Sequence, residues 1–244
     1  KNMESYLANM SDNFSDSIIE YLKRSKSNRY SDYNNLLQDK EVAVIGPAPI
    51  NQNIDDEIES FDYVIKMNYR EKKLDDQFKK TGDRVDISYY SGEYGSFILK
   101  HKLDLFDNLS YMSYKALGHY RKHYARSTKA RLMYTYEYEF LGAYNMIPLS
   151  VIDLLHFSPK RIKIFGTTFF VSQKKYVDGY ELKHIATKSS QDKWQSLTIH
   201  NQITQIRLIR NLVDKGRIEV SEEVKEIISL DDLDYLKRLQ ENFS

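Results

Sequence analysis

The sequence predicts an α/β fold in which a mostly parallel sheet of about seven strands lies between two layers of helices. Apolar runs of strand length recur from Val42 onward, helical patterns separate them, and the first run ends at a glycine that precedes two prolines. The runs are VAVIG, DYVIKMN, RVDISYY, NLSYMSY, RLMYTYE, KRIKIFG and RIEV. Because strands that alternate with helices form parallel sheets covered on both faces, we expect a three-layer, Rossmann-like architecture.

The N-terminal segment differs in composition from the rest of the chain. Residues 1–37 are rich in Ser, Asn, Asp and Tyr, and FSDSIIEYLKR has apolar residues at helical spacing, whereas SKSNRYSDYNN is polar. We predict a helical N-terminal extension and linker over residues 1–37 and one α/β domain over residues 38–244. The chain has 244 residues, 41% of them hydrophobic, which suffices for the core of one large domain.

The loop after the first predicted strand is a candidate phosphate site. The strand Val42–Ile45 ends at Gly46, and a tight loop after a strand exposes backbone amides that can bind a phosphate. The segment GPAPIN has one glycine, so it lacks the dinucleotide fingerprint G-x-G-x-x-G. A plain strand-to-helix turn is the alternative. Asn68 and Ser91 follow the next two apolar runs, at strand ends where open α/β sheets bind ligands.

Three helices follow from the spacing of apolar residues. Ile147–Phe157 precedes a serine and a proline that end the pattern, and it leads into the run KRIKIFG. Asn201–Val213 has isoleucines at helical spacing, and the segment LDDLDYLKRLQ is predicted as a capped terminal helix.

Composition excludes several classes of function. The formal charge is +1, from 36 basic and 35 acidic residues, which gives no general attraction to nucleic acid or anionic lipid. Tyrosines alternate with basic residues in KALGHYRKHYARSTKARLMYTYEYEF, but the 20 tyrosines are also typical of an AT-rich genome, so we predict no nucleic-acid partner. The lack of cysteine excludes disulfides, thiolate metal sites and a Cys nucleophile.

The sequence has no run of about 18 apolar residues and no cleavable signal pattern. We therefore predict no transmembrane segment. The expected location is the cytoplasm, where the chain is either free, peripheral to the inner membrane or part of a larger polypeptide.

Paired carboxylates are the candidates for a metal site, and each pair also has a structural explanation. Capping, a charged helix face or a turn accounts for them, so we predict no required metal. The pairs and clusters are Asp55 with Asp56, Asp75 with Asp76, Asp83 with Asp86, and Asp231 with Asp232 and Asp234.

Two of the six histidines are candidates for catalysis. His200 comes at the start of a predicted helix, where its ring can face a cleft and titrate near neutral pH, and His184 lies in the preceding loop. A capping or core role for His200 is the alternative. His156 lies in an apolar helix and is expected to pack in the core, and the remaining histidines, His101, His119 and His123, are expected to be solvated.

In their order and spacing, these segments resemble the motifs of family 29 sialyltransferases and of bacterial sialyltransferase-like enzymes that use CMP-activated ulosonic acids. The long motif of the family, with V-x-G, R-x-N and G-x-R, is similar to VAVIGPAPINQNIDDEIESFDYVIKMN followed by TGDRVDISYYS. The second motif is similar to NMIPLSVIDLLHFSPKRIKIFGTTFF, and the last, a histidine with a nearby glutamate, to His200–Gln205. The resemblance covers about residues 41–220 and implies a GT-A-variant, Rossmann-like fold.

The resemblance implies an inverting, metal-independent transfer of sialic acid or keto-deoxy-octulosonate (Kdo) from its CMP-activated form. The acceptor would be a hydroxyl of an oligosaccharide or lipid-linked glycan in bacterial capsule or surface-glycan synthesis, and no cofactor would be needed. His200 matches the general base that takes the proton of that hydroxyl. The residues that would contact CMP are Gly46, Pro47, Ala48, Asn68, Ser91, Gly166, Tyr176, Tyr180 and His184.

Three departures from the family pattern keep other functions open. Pro47 replaces an asparagine, residues 145–147 replace a Ser/Thr-Thr-Gly loop, and Gln205 replaces the acid near the histidine. One alternative is a catalytically inactive nucleotide-binding or scaffold domain of a larger capsule-assembly protein. Another is a Rossmann-like methyltransferase with VAVIGPAPI as its cofactor loop.

Overall fold

The computed structural model describes residues 28–69, 80–115, 127–133, 144–172, 176, 180 and 200–242. These residues form a seven-stranded sheet in the order β5-β4-β3-β2-β1-β6-β7, and every strand pair is parallel. The strands are β1 Glu41–Ile45, β2 Tyr63–Met67, β3 Ile87–Tyr90, β4 Tyr111–Tyr114, β5 Ala130–Leu132, β6 Arg161–Phe165 and β7 Glu219–Val220. The predicted α/β fold is therefore confirmed, and each of the seven apolar runs overlaps one strand.

The helices among the described residues lie on both faces of this sheet. They are α1 Asn28–Leu37, α2 Asp55–Glu59, α3 Gly92–His101, α4 Met146–Leu155, α5 Gln202–Asp214, α6 Glu222–Ile228 and α7 Asp232–Glu241, with a 3₁₀ helix at Leu103–Asp107. The three helices predicted from apolar spacing correspond to α4, α5 and α7. In the part of the chain that the structure describes, no helix is long and apolar enough for a bilayer crossing.

Successive residues of β1 pack into different hydrophobic clusters, because side chains alternate between the two faces of a strand. Val42 and Val44 contribute to the largest cluster, which includes buried residues of α1, α4, α5, α6 and α7. Ala43 and Ile45 contribute to smaller clusters, and Ile45 packs with Ile58 of α2. Burial on both faces explains why the strands appear in the sequence as continuous apolar runs.

The prediction of a polar linker is wrong for residues 28–35, because this segment belongs to α1. Tyr33 and Leu37 are fully buried against the sheet, while Ser31 and Asp32 are exposed. Two apolar residues four positions apart form one stripe of a helix, and the surrounding polar residues concealed that stripe in the sequence. The division of the chain at residue 38 stays a prediction.

The chain order of the sheet reverses between β1 and β6. Strands β2 to β5 extend from one side of β1, whereas β6 pairs with its other side in the register Val42 to Ile162 and Val44 to Ile164. The connections that leave β1 and β6 therefore separate toward opposite sides, which opens a crevice at the carboxyl ends of these strands.

A buried ion pair joins α4 to β5. The Arg131 guanidinium contacts the Asp153 carboxylate, to which the Tyr89 hydroxyl also donates at 2.6 Å, and the Tyr33 and Tyr89 hydroxyls are 2.9 Å apart. The Arg131 guanidinium lies 4.4 Å from the centre of the Tyr33 ring and 4.8 Å from that of Phe157. Arg131 is 5% exposed and Asp153 is 3% exposed, so each charge depends on the other.

We expect Asp153→Asn to lower the free energy of unfolding by about 3–5 kcal/mol, because it leaves the Arg131 charge buried without a counter-charge. Urea denaturation monitored by circular dichroism measures the change. As a control, Glu222→Gln removes one partner of an exposed ion pair with Lys225 and should change stability by less than about 0.5 kcal/mol. Similar losses for the two variants would contradict a structural role of the buried pair.

Candidate functional site

A cavity of about 300 Å³ lies where the chain order of the sheet reverses. Pro47 and Ala48 come from the loop after β1, and Asn68 and Ser91 follow β2 and β3. The loop after β6, the start of α4 and the residue His200 before α5 also contribute to the wall. The cavity therefore occupies the position at which open α/β sheets bind ligands.

Seven of the ten residues predicted for the site line this cavity. Gly46 and Gly166 are not among its lining residues, and His184 lies outside the described residues. The seven residues are Pro47, Ala48, Asn68, Ser91, Tyr176, Tyr180 and His200.

Gly46 and Gly166 bring the two diverging loops into backbone contact. A Cβ on Gly46 would lie 2.3 Å from the Gly166 carbonyl oxygen, and Gly166 has a φ of +58° that favours glycine. The Ala48 amide donates to the Gly166 carbonyl at 2.9 Å, and the Gly46 amide donates to the Phe165 carbonyl at 2.8 Å. The two glycines therefore allow the loop that carries Pro47 and Ala48 to pack closely against the loop after β6. Gly166 also borders a second cavity of about 130 Å³.

Asn68 joins three parts of the cavity wall. Its φ is +50°, a conformation that asparagine adopts more readily than most residues. Its side-chain oxygen accepts from the Ser91 amide at 3.1 Å, and its side-chain nitrogen donates to the Tyr180 hydroxyl at 2.8 Å. The residue is 5% exposed, so this carboxamide holds Ser91 and Tyr180 in place as part of the wall.

An aromatic wall, formed by Tyr94, Tyr180, Tyr176 and Phe170, lines one side of the cavity. The rings of Tyr94 and Tyr180 stack with centroids 6.5 Å apart, and those of Tyr180 and Tyr176 are 5.0 Å apart. Phe170 meets Tyr176 edge to face at 6.4 Å. Such a wall offers both ring faces and hydroxyl groups to a ligand.

His200 lies at the cavity immediately before α5. Asn201 caps this helix with a φ of +31° and accepts from the Thr204 amide at 3.2 Å, which confirms the predicted helix start. His200 is half-buried, whereas His101 is exposed, as expected. His156 is buried, as predicted, and burial lowers the pKa of its imidazole. His119 and His123 lie outside the described residues.

The described wall of the cavity contains no Asp, Glu, Lys or Arg residue. The start of α4 lies at this wall, and the positive end of a helix dipole attracts anions.

Among the described residues, no group of three or more His, Asp or Glu residues could hold a metal ion. Asp231 caps α7, as its position predicts, while Asp232 bonds to Arg207 and Arg210. Asp75 and Asp76 lie outside the described residues.

Basic residues of the long motif stabilise the fold elsewhere. Lys66 donates to the Gly82 carbonyl at 2.7 Å, and burial lowers the pKa of its ammonium group to about 8. Arg84 donates to the carbonyls of Phe61 at 3.0 Å and Asp62 at 2.7 Å. These bonds stabilise the segments that precede β2 and β3. Neither Lys66 nor Arg84 is among the residues that line the cavity.

Sequence reasoning missed the turn after β6, where Phe169 and Phe170 have φ values of +44° and +69°. Each such conformation costs about 1–3 kcal/mol for a non-glycine residue. Helix α7 stabilises the turn, because the Tyr235 hydroxyl donates to the Phe169 carbonyl at 2.8 Å and the Asn242 side chain donates to the Phe170 carbonyl at 3.2 Å. Strained backbone beside a cavity is typical of ligand sites.

Other lining residues were also missed, although the sequence carried a signal for them. Tyr94 lies in the first turn of α3, three residues after the N-cap residue Ser91, and Thr167 and Thr168 directly follow Gly166. A helical spacing from Ser91 and the position after a strand end could have identified all three.

Among known proteins, the similarity found is to solved structures. No family model and no curated protein matches the chain. Among solved structures, the crystal structure of a mammalian sialyltransferase is similar to this chain, with 14% sequence identity and a TM-score of 0.47. The alignment covers 85% of this chain and 84% of that one.

We expect Gly46→Ala to destabilise the fold by more than about 2 kcal/mol, because the added methyl overlaps the Gly166 carbonyl. Gly216→Ala is the control, since Gly216 also has a positive φ, +63°, but no atom lies within 4 Å of the place that its added methyl would occupy. Urea denaturation should therefore show the smaller loss for Gly216→Ala, about 1 kcal/mol. Equal losses would show that the loops do not need their close contact.

We expect Tyr235→Phe to weaken ligand binding at the cavity by about fivefold, because the turn at Phe169 loses a buried hydrogen bond worth about 1 kcal/mol. Calorimetric titration with CMP, the nucleotide that the motifs imply, measures the effect. Tyr33→Phe is the matched control, because it removes a buried hydroxyl that bonds to Tyr89 instead. Equal CMP affinities for the two variants would contradict the role of Tyr235.

Proposed function

We propose that the protein is an inverting, metal-independent glycosyltransferase. It moves a ulosonic acid, sialic acid or Kdo, from CMP to a saccharide hydroxyl of an oligosaccharide or lipid-linked glycan in bacterial capsule or surface-glycan synthesis. The observation that carries the proposal is the convergence of Pro47, Ala48, Asn68, Ser91 and His200 on one cavity. The sequence motifs that resemble sialyltransferases are the independent support.

The chemistry of the cavity wall suits a nucleoside monophosphate. A single phosphate is held by neutral donors and a helix dipole, without the metal that diphosphate donors commonly require. The start of α4, at Met146 and Ile147, supplies the positive end of that dipole. The volume of about 300 Å³ is within the range of small-ligand pockets, and Tyr94, Tyr176 and Tyr180 offer ring faces to a planar base.

In the proposed reaction, His200 accepts the proton of the acceptor hydroxyl. The acceptor oxygen forms a bond to the anomeric carbon while the bond from that carbon to the phosphate oxygen breaks. The electron pair of the broken bond leaves with CMP, and the configuration at the anomeric carbon inverts. Hydrogen bonds from neutral groups stabilise the departing phosphate, and general base catalysis contributes about 100-fold or more to the rate.

The test uses the purified protein with CMP-sialic acid and with CMP-Kdo. We expect one donor to bind and to be hydrolysed or transferred, as measured by calorimetry and by release of CMP. We expect His200→Ala to lower turnover about 100-fold or more while CMP affinity stays within about threefold. His101→Ala is the control, because His101 is exposed and is not among the residues that line the cavity.

Each contrary result has a distinct meaning. Failure of both donors to bind or react would refute the proposal. CMP binding without turnover for every acceptor would favour an inactive nucleotide-binding domain. A thermal shift with S-adenosylmethionine and none with CMP would favour a methyltransferase, and unchanged turnover of His200→Ala would assign the base elsewhere.

A further inference from the structure

Gln205 connects two walls of the cavity through both ends of its carboxamide. Its Nε2 donates to the His200 carbonyl, and its Oε1 accepts from the Asn145 amide at 2.7 Å. His200 and Asn145 both line the cavity, whereas Gln205 is 3% exposed and lies behind them. The start of α5 is thereby joined to the start of α4.

A neighbouring glutamine makes a simpler contact with the same wall. The Gln202 Oε1 accepts from the Asn145 Nδ2 at 2.9 Å, and no hydrogen-bond acceptor in the described part of the chain contacts the Gln202 Nε2. Gln202 is 6% exposed and lies on the same helix. The two glutamines are therefore matched in type and burial, and Gln205 is the one whose Nε2 bonds to the His200 backbone.

We propose that Gln205 is the positioning residue that fixes His200 at the cavity. This inference rests on the proposed function, in which His200 is the base. One partner of Gln205 is a carbonyl, which needs a donor, and the other is an N–H group, which needs an acceptor. A carboxamide meets both needs, whereas an ionised carboxylate is an acceptor only and would place a negative oxygen against the His200 carbonyl.

This geometry changes the meaning of the glutamine at position 205. The sequence alone leaves open that a glutamine in place of an acid marks an inactive relative. The two hydrogen bonds give the carboxamide a role that an ionised acid cannot perform in this chain. Gln205 is consequently compatible with an active site, because its side chain holds His200 through the backbone carbonyl of His200.

The experiment compares Gln205→Glu, Gln205→Met and Gln202→Glu in the full chain. We expect both Gln205 variants to lower kcat by about tenfold or more, while KM for the CMP donor and the affinity for CMP change by less than about threefold. Gln202→Glu keeps its acceptor oxygen for Asn145 and should retain kcat within about threefold. A purely structural role would instead lower the thermal midpoint of the Gln205 variants and the amount of active protein, with an unchanged kcat per active site.

A second measurement separates this inference from the proposed function. In NMR spectra, CMP should shift the His200 imidazole resonances of the wild type and Gln202→Glu, and it should shift them by less than half as much in Gln205→Met. If the wild type binds CMP and shows these shifts without turnover, the transferase proposal fails while the positioning role stands. Equal shifts in all three proteins, or a kcat loss equal in Gln202→Glu and Gln205→Glu, would overturn the role of Gln205.

Discussion

The contact between the backbones of Gly46 and Gly166 determines the shape of the crevice. The crevice opens where the connections of β1 and β6 separate, and the loops after these two strands pass each other closely at this place. The missing side chain of Gly46 makes room for the Gly166 carbonyl, which accepts from the Ala48 amide. Pro47 and Ala48 consequently face the cavity from a fixed loop, and the remaining wall is arranged around it.

The wall consists of groups that hold one another before any ligand binds. Asn68 fixes Ser91 and Tyr180, Gln205 joins the start of α4 to His200, and α7 holds the strained turn after β6. Neutral hydrogen-bonding groups arranged in advance need little reorganisation when charge develops on a ligand.

The sequence predicted the features that depend on local pattern. Strands buried on both faces appear as apolar runs, and Asn68 and Ser91 could be placed because they directly follow such runs. The conformation of Phe169 and the bridge made by Gln205 depend on partners about 60 residues away, Tyr235 and Asn145, so no local pattern encodes them. Helix α1 was missed because most of its residues are polar. Its stability depends on the packing of Tyr33 and Leu37 against the sheet, which composition does not reveal.

The ring of Tyr33 covers a guanidinium that lies inside the protein. A shortened chain that began after Leu37 would lose this cover and would admit water to a charge that the intact fold keeps dry. A minimal version of this domain therefore has to include α1, although the composition of that helix is mostly polar. Helix α1 and the sheet share one hydrophobic cluster, to which Tyr33 and Leu37 contribute.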